Sequence, residues 1–237
     1  MHPASLTVGY VPGGTPAKWG RIWAERHPDV PLQLRIVAAA DAADEVREGA
    51  VDVAVLRLPA ETSGLAIIPL YEEITVAVVP TDHVLTAADE ITAADLDGEP
   101  TVLPRDDVLH WAGAPGVPVD HRPETTEEAV ELVAAGVGTL LVPQSLARLH
   151  HRKDLTYRPI TDAPTCPVAL AVPEGPQQVL VEDFIGIVRG RKPGSSRTQA
   201  QPAPKRTARE KTLAKQAARA AAGKVARKPG RTARGRR

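Results

Sequence analysis

LTVGYVPGGTPAKWGRIWAERHPDVPLQLRIV, residues Leu6–Val37, reads as strand, turn, helix, strand. Leu6–Tyr10 is a buried-strand run, ended by Val11-Pro12-Gly13-Gly14. Thr15-Pro16 then supplies a cap residue followed by proline at the first helical position, the usual way to open a helix. Trp19, Ile22, Trp23 and Arg26 recur at helical spacing, so one face carries two indoles. His27-Pro28-Asp29 stops that helix and Leu32–Val37 alternates as a strand. A strand, a crossover helix and a second strand at this spacing point to a parallel pair.

The pattern continues outward. Asp41–Glu48 is a short acidic helix closed by Gly49, and Val51–Leu56 is apolar and β-branched, as a parallel-sheet strand should be. Leu65–Leu70 and Ile74–Pro80 read as strands, Thr92–Asp95 as a single helical turn, and Thr101–Leu103 and Val119–Arg122 as short strands. Thr125-x-x-Glu128 is a capping box for a helix that runs to Ala135. Thr139–Pro143, Leu155–Ile160 and Val168–Pro173 are strands; Gln144–His151 and Gln177–Arg189 are helices. Strands alternating with helices of this length predict an α/β protein with parallel sheets, and so many elements in 188 residues favour two small sheets.

Charge divides the chain at the end of the last helix. Residues 1–188 carry 12 Lys/Arg against 28 Asp/Glu, whereas residues 189–237 carry 17 against one, Glu210. The last segment has no aromatic residue, so it cannot bury enough apolar surface to offset chain entropy, and residues 190–237 are expected to be a disordered Lys/Arg/Ala-rich tail. A single cysteine, Cys166, fits a reducing compartment. The first residues have no signal-peptide pattern and no apolar run reaches the ~20 residues of a bilayer span, so a cytoplasmic protein without a membrane partner is expected.

Several stretches together resemble the effector-binding module of LysR-type transcriptional regulators: LTVGYVP (6–12), RHPDVPLQL (26–34), VREGAVDVAVLRLP (46–59), LYEEITVAVVPTDHVL (70–85), ITAADLDGEPTVL (91–103), AVELVAAGVGTLLVP (129–143) and CPVALAVPEG (166–175). The resemblance covers about residues 5–189. It implies a two-subdomain fold like that of type II periplasmic binding proteins, with an inter-subdomain cleft. Subdomain I would comprise residues 5–80 and 164–189, and subdomain II residues 81–162. Family members carry a winged helix-turn-helix ahead of this module; here five residues precede the first strand, so a sensor without its own helix-turn-helix is expected. The family's antiparallel dimer implies a homodimer, with the Trp19/Trp23 face as a candidate interface beside its reading as core.

Ligands of α/β sheets sit beyond the carboxyl ends of strands, where helix N-termini offer free N–H groups. Three loops qualify: Gly13-Gly14-Thr15, the segment after the second strand around Ala39, and Leu103-Pro104-Arg105. The resemblance to members that sense acids of aromatic degradation points to the same loops and adds Arg57. Each has a plainer reading: a tight turn and cap at Gly13–Thr15, a solvated strand-end charge paired with a neighbouring acid at Arg57, and local neutralisation of Arg105 by Asp106 and Asp107. A guanidinium facing the cleft would pair with a carboxylate, which makes a small organic anion the leading effector class.

Nothing in the sequence suggests an enzyme, a cofactor or a metal. His150-His151 is a doublet rather than an i, i+4 pair, and Cys166 before Pro167 has no evident base. The tail is a polyelectrolyte suited to phosphate backbones, with Lys205, Arg206, Arg209, Lys228, Arg231, Arg234 and Arg236 as candidate nucleic-acid contacts, largely independent of sequence. Lys228-Pro229-Gly230-Arg231 and Arg234-Gly235-Arg236 resemble AT-hook cores and the tails of histone-like proteins. The expected function is therefore effector sensing in transcription regulation. The alternatives are a solute-binding protein of a transport system and a nucleoid-associated protein that uses the domain to dimerise.

Overall fold

A computed structural model describes residues 5–191. The candidate nucleic-acid residues Lys205–Arg236 lie outside this range. Ten strands form two five-stranded mixed sheets. In the first, β1 (Leu6–Tyr10) lies parallel to β2 (Leu32–Ile36) on one side and β3 (Val53–Arg57) on the other. Next to β3 runs β10 (Cys166–Pro173), antiparallel to it and to the edge strand β4 (Leu65–Glu73). In the second, β6 (Pro100–Val102) lies parallel to β7 (Val117–Pro118) and β8 (Thr139–Pro143). There β5 (Thr75–Pro80) runs antiparallel to β8 and to β9 (Leu155–Pro159).

Both sheets are therefore mixed rather than wholly parallel. In each, the strand that enters across the sheet boundary runs antiparallel, because the chain arrives from the opposite direction. The chain changes sheets at Ile74. Thr75–Pro80, grouped by sequence with the first half, thus hydrogen-bonds in the second sheet. It returns between β9 and β10, and the two passages are tied together where the Thr75 hydroxyl donates to the Pro164 carbonyl at 2.6 Å.

Alternation along the strands feeds a core on each face of each sheet. Leu6, Val8, Val53, Val55 and Leu170 pack against α1 (Ala17–Arg26) and α5 (Val179–Val188), while Ala54, Leu56 and Ala171 face α2 (Ala42–Arg47). In the second sheet Val76, Val78, Leu140 and Val142 pack under α3 (Thr126–Ala134) and α4 (Gln144–Leu149). Ala77, Val79 and Leu141 point to the other side with Leu96 and Ile91.

The two indoles of α1 serve this core. Trp23 is fully buried and donates through Nε1 to the Val30 carbonyl at 2.8 Å, and Trp19 meets Phe184 edge-on at 6.3 Å between centroids. Trp23 is thereby enclosed in the core, whereas Trp19 keeps part of its surface exposed. Two local readings also change. Helix α1 starts at Ala17 with Pro16 as the N-cap and no side-chain cap, so Thr15 does not perform that role. The seventh strand is Val117–Pro118 rather than Val119–Arg122, since it is Val117 and Pro118 that pair with Pro100 and Thr101, while the Arg122 side chain donates to the Leu103 and Pro104 carbonyls.

Candidate functional site

Between the sheets lies a cleft of about 1360 Å³. Strand ends and helix starts from both sides reach it: Pro12–Thr15 before α1, Ala38–Ala40 before α2, Thr125 and Thr126 at α3, and Gln144 and Ser145 at α4. The first amides of a helix have no intrahelical partner and carry partial positive charge. At α3 those amides are engaged, since Thr125 accepts from the Glu128 amide at 3.2 Å and Glu127 and Glu128 occupy the first turn. At α1 and α4 there is neither a side-chain cap nor an acidic residue in the first turn. These two helices approach from opposite lobes.

Arg57 stands where they meet. Its side chain is only 3% exposed, which is costly for a cation unless partners are close. Nε donates to Glu73 at 3.0 Å, and Nη2 donates to the Pro12 carbonyl at 2.8 Å and to the Ser145 hydroxyl at 2.9 Å. One guanidinium thus holds the last residue of β4, the first loop, and the start of α4 in the other lobe. Its Nη1 is buried and makes no hydrogen bond among the described residues. Gly13, with φ of +82°, fits the same junction: a Cβ there would sit 2.9 Å from the Ser145 hydroxyl and 3.1 Å from Arg57 Nη2.

Of the residues singled out from sequence, Gly13, Gly14, Thr15, Ala39, Arg57 and Arg105 line the cleft, whereas Leu103 and Pro104 do not. The latter two present carbonyls to Arg122 instead. Arg105 is 61% exposed and paired with Glu124 at 2.9 Å, not with Asp106 or Asp107. Asp106 accepts from the Thr126 hydroxyl, and Asp107 accepts from the Leu109 and His110 amides. The plain reading of Arg57 holds in its pairing with an acid, Glu73, but not in its solvation, because Glu73 and Ser145 arrive from distant sequence to enclose it.

Sequence reasoning missed Tyr10, Tyr71, Glu73 and Ser145. The Tyr71 phenol is pushed up from its usual range, first by burial and then by the neighbouring Glu73 carboxylate. Cys166, at the start of β10, is buried; burial above all pushes its thiol up to about 11. It behaves as a small apolar side chain here.

The LysR substrate binding domain family matches residues 17–193. The chain is 28% identical over 201 residues to the Hca operon transcriptional activator HcaR of Escherichia coli (strain K12), covering 78% of this chain and 67% of that protein. It is 32% identical over 154 residues to a probable hydrogen peroxide-inducible genes activator of Mycobacterium avium, covering 60% of this chain and 50% of that protein. It thus spans between half and two thirds of these relatives' length. Among solved structures, the BenM effector binding domain with its effector benzoate superposes with a TM-score of 0.67 at 20% identity, covering 79% of this chain and 91% of that one. The oxidized form of OxyR gives a TM-score of 0.65 at 22% identity, over 81% and 97%. Both share the fold.

Proposed function

The chain belongs to the LysR substrate-binding domain family, and from that footing we propose that it senses a small organic anion held in the inter-sheet cleft. One observation carries this reading. The N-termini of α1 and α4, without a side-chain cap or an acidic first turn, converge from opposite lobes over a buried guanidinium with one nitrogen unsatisfied, the Gln144 amide of α4 being already bonded to the Ile74 carbonyl. Such a nest of N–H groups and positive potential fits a carboxylate, and Gly13 lets the backbone come close. An anion that bonds to the Gly14–Thr15 loop, Arg57 and Ser145 together favours the closed arrangement of the lobes, since it contacts both. The neighbouring fold whose structure contains benzoate supports an acid as the ligand class.

The test is a thermal-shift screen of small carboxylates on the full chain. A ligand present at 100 times its Kd and bound only to the native state adds about 2.7 kcal/mol. The shift should shrink in Arg57→Met and also in Ser145→Ala, a smaller change that spares the fold. Neutral isosteres that stabilise as well as their acids would overturn the reading.

The basic segment 189–237 supports a second role, contact with nucleic acid. Seventeen cations facing a single carboxylate suit a phosphate backbone. Retention on DNA should fall steeply between 50 and 200 mM salt, by roughly 10³–10⁵ for six to ten phosphate contacts. It should disappear when Lys192–Arg237 is deleted. Salt-independent retention, or retention by the truncated chain, would refute that role. Among the described residues no helix is long and apolar enough to cross a membrane.

A further inference from the structure

The cleft differs in character between its floor and its walls. Of the nine large apolar side chains that are exposed among the described residues, four line this one cleft: Ile36, Tyr71, Ile74 and Leu149. Ile36 is 64% exposed and Leu149 53%, values that would be costly on an open surface and that gather here around one concavity. The volume of about 1360 Å³ also exceeds the range of about 300–1,000 Å³ usual for small-molecule sites.

Charge in the cleft points the same way. Seven carboxylates and four guanidinium groups line it. Three of those guanidiniums are already matched: Arg57 by Glu73, Arg47 by Asp44 and Arg105 by Glu124. The floor has an unsatisfied donor for one anionic head. The fourth, Arg148, meets only the Tyr157 hydroxyl among the described residues, yet with seven carboxylates against four guanidiniums a second anion meets a lining of net negative charge that includes the exposed Glu72 and Glu127. Like charges brought close repel, and at exposed positions that repulsion weakens with added salt.

We infer that the cleft selects acids with a single carboxylate and a large apolar body, and excludes diacids of the same length. This rests on the anion-sensing reading above: the head group takes the junction of Arg57, Ser145 and the Gly14–Thr15 loop, and the body lies along Ile36, Tyr71, Ile74 and Leu149.

Calorimetric titration of the full chain with octanoate, butyrate, suberate and 1-octanol separates the two levels. Affinity should rise by about fourfold for each methylene buried between butyrate and octanoate. Suberate, equal in length to octanoate but doubly charged, should bind at least about tenfold more weakly. The double variant Glu72→Gln/Glu127→Gln should narrow that gap, because it removes the repelling charges at exposed positions. Suberate binding as well as octanoate, or butyrate matching octanoate, would overturn the selectivity while leaving anion sensing intact. Octanol binding as well as octanoate would instead remove the anion reading on which the inference rests.

Discussion

The two sheets have one strand plan, β2-β1-β3-β10-β4 and β7-β6-β8-β5-β9, with parallel and antiparallel neighbours in the same places. They differ in substance. The first has strands of five to nine residues and an aromatic core in which Trp19, Trp23 and Phe184 lie between α1 and α5. The second has parallel strands of three and two residues, β6 and β7, and buried cores of alanine, valine, leucine and isoleucine, with Trp111 and Tyr157 only partly buried against them. One plan thus gives a heavily packed base and a slighter cap. Topology sets where a cleft opens, while core composition sets which side of it is the firmer.

The sharpest way to probe that contrast is to hollow out each core in turn. Trp23→Ala should cost about 3–5 kcal/mol and Leu140→Ala about 2–5 kcal/mol, read by chemical denaturation. Both should lower a single transition, because β5 and β10 each carry the chain into the other sheet. Two separated transitions after Leu140→Ala would break the comparison and make the cap an independent unit.

A smaller effect is expected at the crossing itself. Thr75→Val keeps the side chain's shape but removes its bond to the Pro164 carbonyl, and should cost about 1 kcal/mol. Hydrogen exchange should quicken at the crossing before it does in either core. Equal protection in both proteins would show that the bond does not tie the passages.

The smallest effect lies where the chain re-enters the base. The Cys166 thiol is held up to about 11, above the 9.0 of an exposed thiol, because burial disfavours the thiolate. A pKa raised in the folded state stabilises below the unfolded value and loses that contribution as pH rises through the folded one. Stability should therefore decline between about pH 9 and pH 11 in the native protein and less so in Cys166→Ala. At pH 8, alkylation of Cys166 should proceed no faster than unfolding; rapid labelling of the folded chain would contradict its burial.

Much of the fold is legible because its signals are local. The apolar runs Val53–Arg57 and Thr139–Pro143 name their own strands, and Thr125 and Glu128 mark the start of α3. Even there the box is incomplete, since Glu128 accepts from the Glu124 amide rather than from its partner Thr125. Val117–Pro118 escapes because two residues carry no alternation to detect. The site is less legible. Gly13, Thr15 and Ala39 follow from their place at strand ends, but the burial of Arg57 depends on Glu73 and Ser145, 16 and 88 residues further along the chain. A charged residue at the end of a strand reads as solvated until the partners that desolvate it are known. Leu103 and Pro104 fail for the complementary reason, since Arg122 draws their carbonyls away from the cleft.

Gly13 has a further consequence. Where it faces Ser145, the clearance between the halves is less than a methyl group, so hydrogen is the only substituent at that position that lets the jaws meet fully. The bite of the receptor is thus set by one missing carbon, and any heavier residue there would act as a doorstop, holding the halves apart whatever the cavity contained.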